Sequence, residues 1–452
     1  MPHRSRAPGQ CRYDAGILQG HESMRIFEGR LGLGREAWAW ASYDFANSVF
    51  ATTVIAGFFP VFLDKFWRGE MTHGQAFALL AWVNGGVALA IAVAAPVLGS
   101  IADHGAHRKR FLAVFLALGV AASGLLVVPG QGANVWALAL FGLGSLGYVG
   151  GNVFYDALLP HVARRDQLDR ASALGYALGY LGGGLLFLVN VIMVQKPHWF
   201  GLADASAAVR TAFLTVAVWW GGFALILLRG VHEPRRDVSM REAVVEGLAQ
   251  FRRTVVRLRS LPVLLGFLVA YWFYIDGVNS VFKLAVGFGL AVGLPASSLL
   301  LALLATQFVA FPAALGFGWL GERIGPRAGI SLGLAVYLAV VIYADFITRP
   351  WQFFLLAVLV GLVQGGTQSL SRSLYARLVP REESAAFFGF YGLMGKFSAV
   401  IGPLIVAIVQ TATGNPHIAV SAIGILFLIG LVALWLLPLG RDRLAAIAVP
   451  DA

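Results

Sequence analysis

Long apolar stretches alternate with short polar breaks along the 452 residues. A transmembrane helix needs about 20 mostly apolar residues. Twelve stretches meet that requirement, near 38–63, 75–101, 111–129, 134–158, 171–194, 209–228, 261–289, 297–320, 328–347, 351–377, 384–410 and 417–438. The longest internal polar segment, 229–260, falls between the sixth and the seventh. The pattern therefore predicts an all-α membrane protein of twelve transmembrane helices. Six form a bundle over 36–228 and six over 261–438, with tails at 1–35 and 439–452. Within the linker, Met240, Val244, Leu248, Phe251, Val255 and Leu258 recur at helical spacing among Arg241, Arg252, Arg253, Arg257 and Arg259. That spacing predicts a basic amphipathic helix lying on the membrane face, serving as a tether between the bundles.

Composition agrees. Hydrophobic residues make up 58% and charged residues 13%, against roughly 45–50% and about 25% in soluble domains. The net charge of +11 would suggest nucleic-acid binding in a soluble chain. Here its distribution matters more. Of the 34 Lys and Arg, 26 fall in the two tails and the loops on one side, 5 in the opposite loops and 3 within spans. The positive-inside rule then places both termini in the cytoplasm of a cell inner membrane, with no nucleic-acid partner required. The first 35 residues lack the apolar core of a signal peptide, and Met24 is the expected natural start, with 1–23 an upstream extension. Cys11 is the single cysteine and excludes an internal disulfide framework. There is no P-loop, and His104, His107, His161 and His198 lack ligand spacing. An enzyme, a metal site and a bound cofactor are all unexpected.

The two halves resemble each other. Residues 44–50 read DFANSVF and 276–282 read DGVNSVF. Gly99, Ala102 and Asp103 open the loop after span two, ahead of Arg108-Lys109-Arg110; Gly318, Gly321 and Glu322 open the loop after span eight, ahead of Arg323 and Arg327. Span four ends in YDALLP at 155–160 and span ten in YARLVP at 375–380. A duplicated six-span unit explains all three marks.

These features, with the YDFANSVFATTV stretch of span one, LGYALGYLGGG of span five and SRSLYARLVP of span ten, resemble the major facilitator superfamily. Within it they resemble the branch holding the autophagy-related vacuolar amino-acid effluxers and their bacterial relatives. The resemblance covers about residues 36–438. It implies a monomeric alternating-access carrier that exports an amino acid. It also implies a gate on the cytoplasmic face formed by Asp103, Arg108, Glu322, Arg323 and Arg327, whose acids bridge basic residues and helix N-termini. Ala106 and His107 stand where the loop motif usually has Gly and Arg, which weakens the case for gating contacts there.

An ionisable side chain inside the bilayer is a functional candidate by default. Asp44 and Asn47 share one face of span one, and Asp276 and Asn279 one face of span seven. In a two-repeat carrier, substrate and coupling-ion sites lie near the midplane where the repeats meet. The alternative is architectural: Asp and Asn bonding broken backbone or neighbouring helices. Span ten carries Gln364, Gln368 and Arg372 four residues apart. Arginine's planar fork suits a substrate carboxylate, although the nearby helix end favours a gate pair with an acid such as Asp156. The repeat sets Asn152 opposite Arg372 and Tyr155 opposite Tyr375. Lys283 is expected to snorkel to the outer interface, Lys396 is ambiguous, and Gly175, Gly179 and Gly183 are expected to serve helix packing. The expected substrate or proton site is thus Asp44, Asn47, Asn152, Tyr155, Asp276, Asn279, Gln368 and Arg372. Efflux of amphipathic drugs and a non-transporting sensor of the same fold are the competing functions.

Overall fold

The structure is a computed structural model and describes residues 32–71, 73–105, 107–233, 240–397 and 401–438. Expectations about Cys11, Met24, Ala106 and most of both tails fall outside those residues, as do the side chains of Met240, Arg241, Leu248, Phe251, Val255 and Lys396. The described secondary structure is helical throughout. In the first half, α1 (Arg35–Val49), α2 (His73–Gly105), α3 (Arg108–Leu125), α4 (Asn134–Val162), α5 (Leu168–Gln195) and α6 (Ala205–Gly230) follow one another. After the linker helix α7 (Met240–Arg259) come α8 (Pro262–Ala291), α9 (Ala296–Ile324), α10 (Pro326–Tyr343) and α11 (Pro350–Leu378). The eleventh expected span contains α12 (Ser384–Phe397) and α13 (Ile401–Thr413), and the twelfth contains α14 (Pro416–Ser421) and α15 (Gly424–Leu436).

Ten helical stretches among the described residues are long and apolar enough to cross a bilayer. The reason lies in which faces are apolar. Trp82, Val93, Val114, Trp136, Val218, Leu301 and Val432 point outward and are exposed, while Trp40, Trp67, Trp220, Tyr43 and Tyr375 are fully enclosed. A helix that is apolar all round belongs either in a large core or in lipid, and so broad an outward apolar surface suits lipid.

Helix α1 does not stop at Val49. The chain stays helical to Trp67, but over Phe50–Phe58 and Leu63–Trp67 it widens to i→i+5 hydrogen bonding, so that Phe59 N–H donates to Val54 O. Between α9 and α10 the reversal takes a single residue, Gly325, at φ +89°, followed by Pro326 at the first helical position. Glycine accepts that backbone without strain and proline there gives up no helical hydrogen bond.

The halves meet most extensively along α2 with α12 and α5 with α9, and further along α5 with α11 and α4 with α12. Glycines set the spacing. A Cβ on Gly99 would strike the carbonyl of Ala385, one on Gly389 would lie 2.8 Å from Pro96 Cα, and one on Gly318 would strike Ala173 Cβ. The glycines of the repeated loop motif are therefore points of close approach between the halves. Helix α7 runs against α2 and is tied to the start of α12 by an Arg257–Glu383 ion pair of 2.6 Å.

Candidate substrate site

Arg372 lies on α11, with its side chain 3% exposed. Two of its edges are held by α5 of the other half: Nε donates to Ser172 Oγ and Nη2 to Ser172 O, each at 2.9 Å. Ser172 Oγ in turn donates to Ser369 O at 2.8 Å, returning to α11. Nη1 faces two carboxylates of the first half, Asp156 Oδ1 at 2.9 Å and Asp44 Oδ2 at 3.4 Å. Tyr155 O–H donates to that same Asp44 oxygen at 2.9 Å. Aromatic rings cover the guanidinium, with Tyr176 at 4.3 Å, Trp40 at 4.9 Å and Tyr155 at 5.6 Å from ring centroid to Cζ. Trp40 is itself fixed by stacking on Tyr155 and by donating from Nε1 to Tyr155 O at 2.8 Å. Cation–π contacts add strength where water is excluded.

The cluster forms around one small residue. A Cβ at Gly175 would fall 2.7 Å from Asp44 Oδ2 and 2.9 Å from both Arg372 Nη2 and Tyr155 O–H. Gly179 and Gly183 likewise let α5 approach Ser48 and Thr52 of the first span, which is the packing role expected of that glycine series.

Of the eight expected site residues, Asp44, Tyr155 and Arg372 come into direct contact. Asn47 donates from Nδ2 to Asn152 Oδ1 one turn further along. Gln368 is half-buried on the Arg372 helix, and Asn279 is half-buried on α8. Asp276 is engaged elsewhere. Its oxygens accept the backbone N–H groups of Ile401 and Gly402, each at 2.9 Å, and the hydroxyl of Ser280 at 3.1 Å. Here the duplication explains itself. In each half the Asp-x-x-x-Ser run packs on a glycine of the fifth helix, Asp44 and Ser48 on Gly175 and Gly179, Asp276 and Ser280 on Gly402. In the second half the carboxylate is spent on the backbone N–H groups of Ile401 and Gly402 in α13. In the first half Asp44 faces Arg372 instead. Lys283 is exposed.

The polar contacts between the halves gather at the end where the basic loops lie. Asp103 accepts Ala385 N–H at 3.0 Å and Ala386 N–H at 2.9 Å in the first turn of α12, and pairs with Arg108 at 2.7 Å. Arg108 also donates to the carbonyl of Glu382 at 3.1 Å. Glu322 pairs with Arg170 across the α5–α9 contact. Of the five expected gate residues, Asp103, Arg108 and Glu322 thus join the halves. Arg323 and Arg327 instead lie over Trp319 and Trp435 of their own half, at 3.8 Å and 4.3 Å. Sequence reasoning missed Asp169, which accepts Ser373 Oγ–H and pairs with Arg377 at 2.8 Å. It also missed Ser172, Tyr176 and Arg170. A signal was present, since Asp169-Arg170 is a charge pair directly ahead of the apolar stretch 171–194.

Comparison with known proteins agrees with this architecture. The family model described as "Vacuole effluxer Atg22 like" matches residues 75–446. A Bacillus subtilis (strain 168) protein described as the uncharacterized MFS-type transporter YxiO is 34% identical over 405 residues, covering 88% of this chain and 94% of its own. Autophagy-related protein 22-1 of Phaeosphaeria nodorum is 24% identical, covering 92% of each chain. Among solved structures, the human organic anion transporter MFSD10 superposes with a TM-score of 0.69 over 88% of this chain and 99% of its own, at 13% identity. With two related helical halves, cross-half contacts at the loop-motif acids and these matches, the chain belongs to the Atg22-like family of major facilitator superfamily transporters.

Proposed function

We propose that this transporter is a secondary active carrier that moves an amino acid out of the cytoplasm by alternating access, as a monomer and without a cofactor. Its basic end faces the cytoplasm of the cell inner membrane, and a proton is the candidate coupling ion. The observation that carries this reading is Arg372. A buried guanidinium contributed by one half is closed on by carboxylates of the other, and its fork accepts carboxylates two hydrogen bonds at a time. A solute carboxylate that displaces Asp44 takes over a contact already loose, at 3.4 to 3.5 Å. Releasing Asp44 loosens the link between the halves, which ties occupancy to opening. Asn47, Asn152, Tyr155 and Gln368 line the same region; the cross-half contacts of Asp103, Arg108 and Glu322 form the cytoplasmic gate. Opening that gate requires only a shift between two packed states.

The test is uptake of a labelled neutral amino-acid mixture into proteoliposomes, with and without an imposed pH gradient, for the unaltered protein and for Asp44→Asn, Arg372→Gln and Asp276→Asn. Uptake that responds to the gradient and fails in Asp44→Asn and Arg372→Gln supports the proposal. No uptake in any condition, by folded protein, removes amino acids and favours an amphipathic-drug carrier or a sensor.

A further inference from the structure

Two carboxylates share one guanidinium nitrogen in the site, since Asp156 and Asp44 both lie on Arg372 Nη1. The titratable groups within electrostatic reach of this pair are Arg372, Tyr43 on α1, Tyr148 and Tyr155 on α4, Tyr176 and Tyr180 on α5, and Tyr271 on α8. Phenols are neutral at physiological pH. Among these groups one positive charge faces two negative ones. Surplus charge in a membrane interior is expensive, and carboxylates sharing a site titrate as a pair that holds on to a proton. Exposure divides the roles. The Arg372 side chain is 3% exposed, whereas Asp44 is 14% and Asp156 21% exposed. The guanidinium is walled in, and the carboxylates meet an arriving solute.

We infer that the Asp44–Asp156 pair is neutralised by one unit of positive charge beyond that of Arg372, so that a neutral amino acid is carried together with a proton and a cationic one is carried in place of it. The inference rests on the amino-acid carrier reading above. The charges balance in both cases. A zwitterion adds no net charge, so the carboxyl proton stays in the site. A solute of net charge +1, such as lysine, brings the neutralising charge itself; the carboxyl O–H bond breaks and its proton passes to water. No electrons move. Outward movement of a neutral solute then runs down that solute's own gradient and takes a proton with it.

The probes are leucine and lysine, used with purified full-length protein. Infrared difference spectra of solute-free protein on raising the pH should show the loss of one protonated carboxyl band, absent from Asp44→Asn or from Asp156→Asn. Leucine affinity should fall as pH rises, and lysine affinity should rise, each by up to about tenfold per pH unit for a one-proton linkage. Lysine binding in weak buffer should release one proton per solute, and leucine none. Lack of the carboxyl band in unaltered protein overturns the inference, and that readout depends on neither variant folding. Binding of both amino acids without opposite pH dependence also overturns it, while leaving the carrier reading in place. If the band is present and neither amino acid binds, the carrier reading falls and the inference falls with it.

Discussion

At Gly175 a single hydrogen atom decides whether three functional groups meet. Any side chain there must displace Asp44, Tyr155 or Arg372, since all three lie under 3.0 Å from its first carbon. Gly175→Ala should therefore cut transport at least about tenfold while the protein still elutes as a folded species. That loss corresponds to about 1.4 kcal/mol of misalignment. Arg372→Lys tests the fork rather than the charge. One ammonium cannot reach Ser172 and Asp156 as the guanidinium does from separate nitrogens. Its uptake should stay close to that of Arg372→Gln. Arg372→Gln should also unfold at a lower temperature in detergent, because removing one partner of a buried ion pair costs about 3–5 kcal/mol. Restoration of uptake by lysine would show that charge alone suffices.

Helices α8 and α13 pose a different question. Asp276 repeats Asp44 in sequence, yet its carboxylate accepts backbone N–H groups of α13. Asp276→Asn keeps one acceptor oxygen and loses the charge, so it should lower thermal stability by about 1–2 kcal/mol. At permissive temperature its residual transport should exceed that of Asp44→Asn. Comparing unfolding temperature with initial uptake rate separates the two roles. The contrast also shows what the sequence makes readable. Each of the twelve apolar stretches coincides with a helix or a pair of helices, because hydrophobic length alone specifies them. The duplication too is readable, and so is the Arg372–Asp156 pair, suggested by their shared nearness to helix ends. Which of two like aspartates reaches Arg372 depends on what the neighbouring helices bring against it, and heptapeptides that agree at five of seven positions carry no trace of that. Ser172 and Tyr176 escaped notice for a related reason. A serine or tyrosine in an apolar span is unremarkable until crossing helices bring a guanidinium against it.

The contacts between the halves act as one lock distributed over the molecule. Asp103 holds the first turn of α12, Glu322 holds Arg170, and Asp169 holds Ser373 and Arg377. In a Cys11→Ser background, Ser369→Cys places a thiol at a position that is enclosed while the lock is made. Asp103→Asn should raise its labelling rate by a water-soluble maleimide several-fold, and Asp103→Asn with Glu322→Gln should raise it further, as expected when both bias one equilibrium. Equal labelling in all forms would show that these acids do not set the closed state. The opposite end of the molecule has a different resource. The widened stretch of α1 over Phe50–Phe58 stores an extra residue compared with an ordinary helix. Tightening it by one residue would turn everything beyond it by about 100° and push it about 1.5 Å along the axis. The far half of the first span would then present different side chains while Asp44, six residues before Phe50, stays against Arg372.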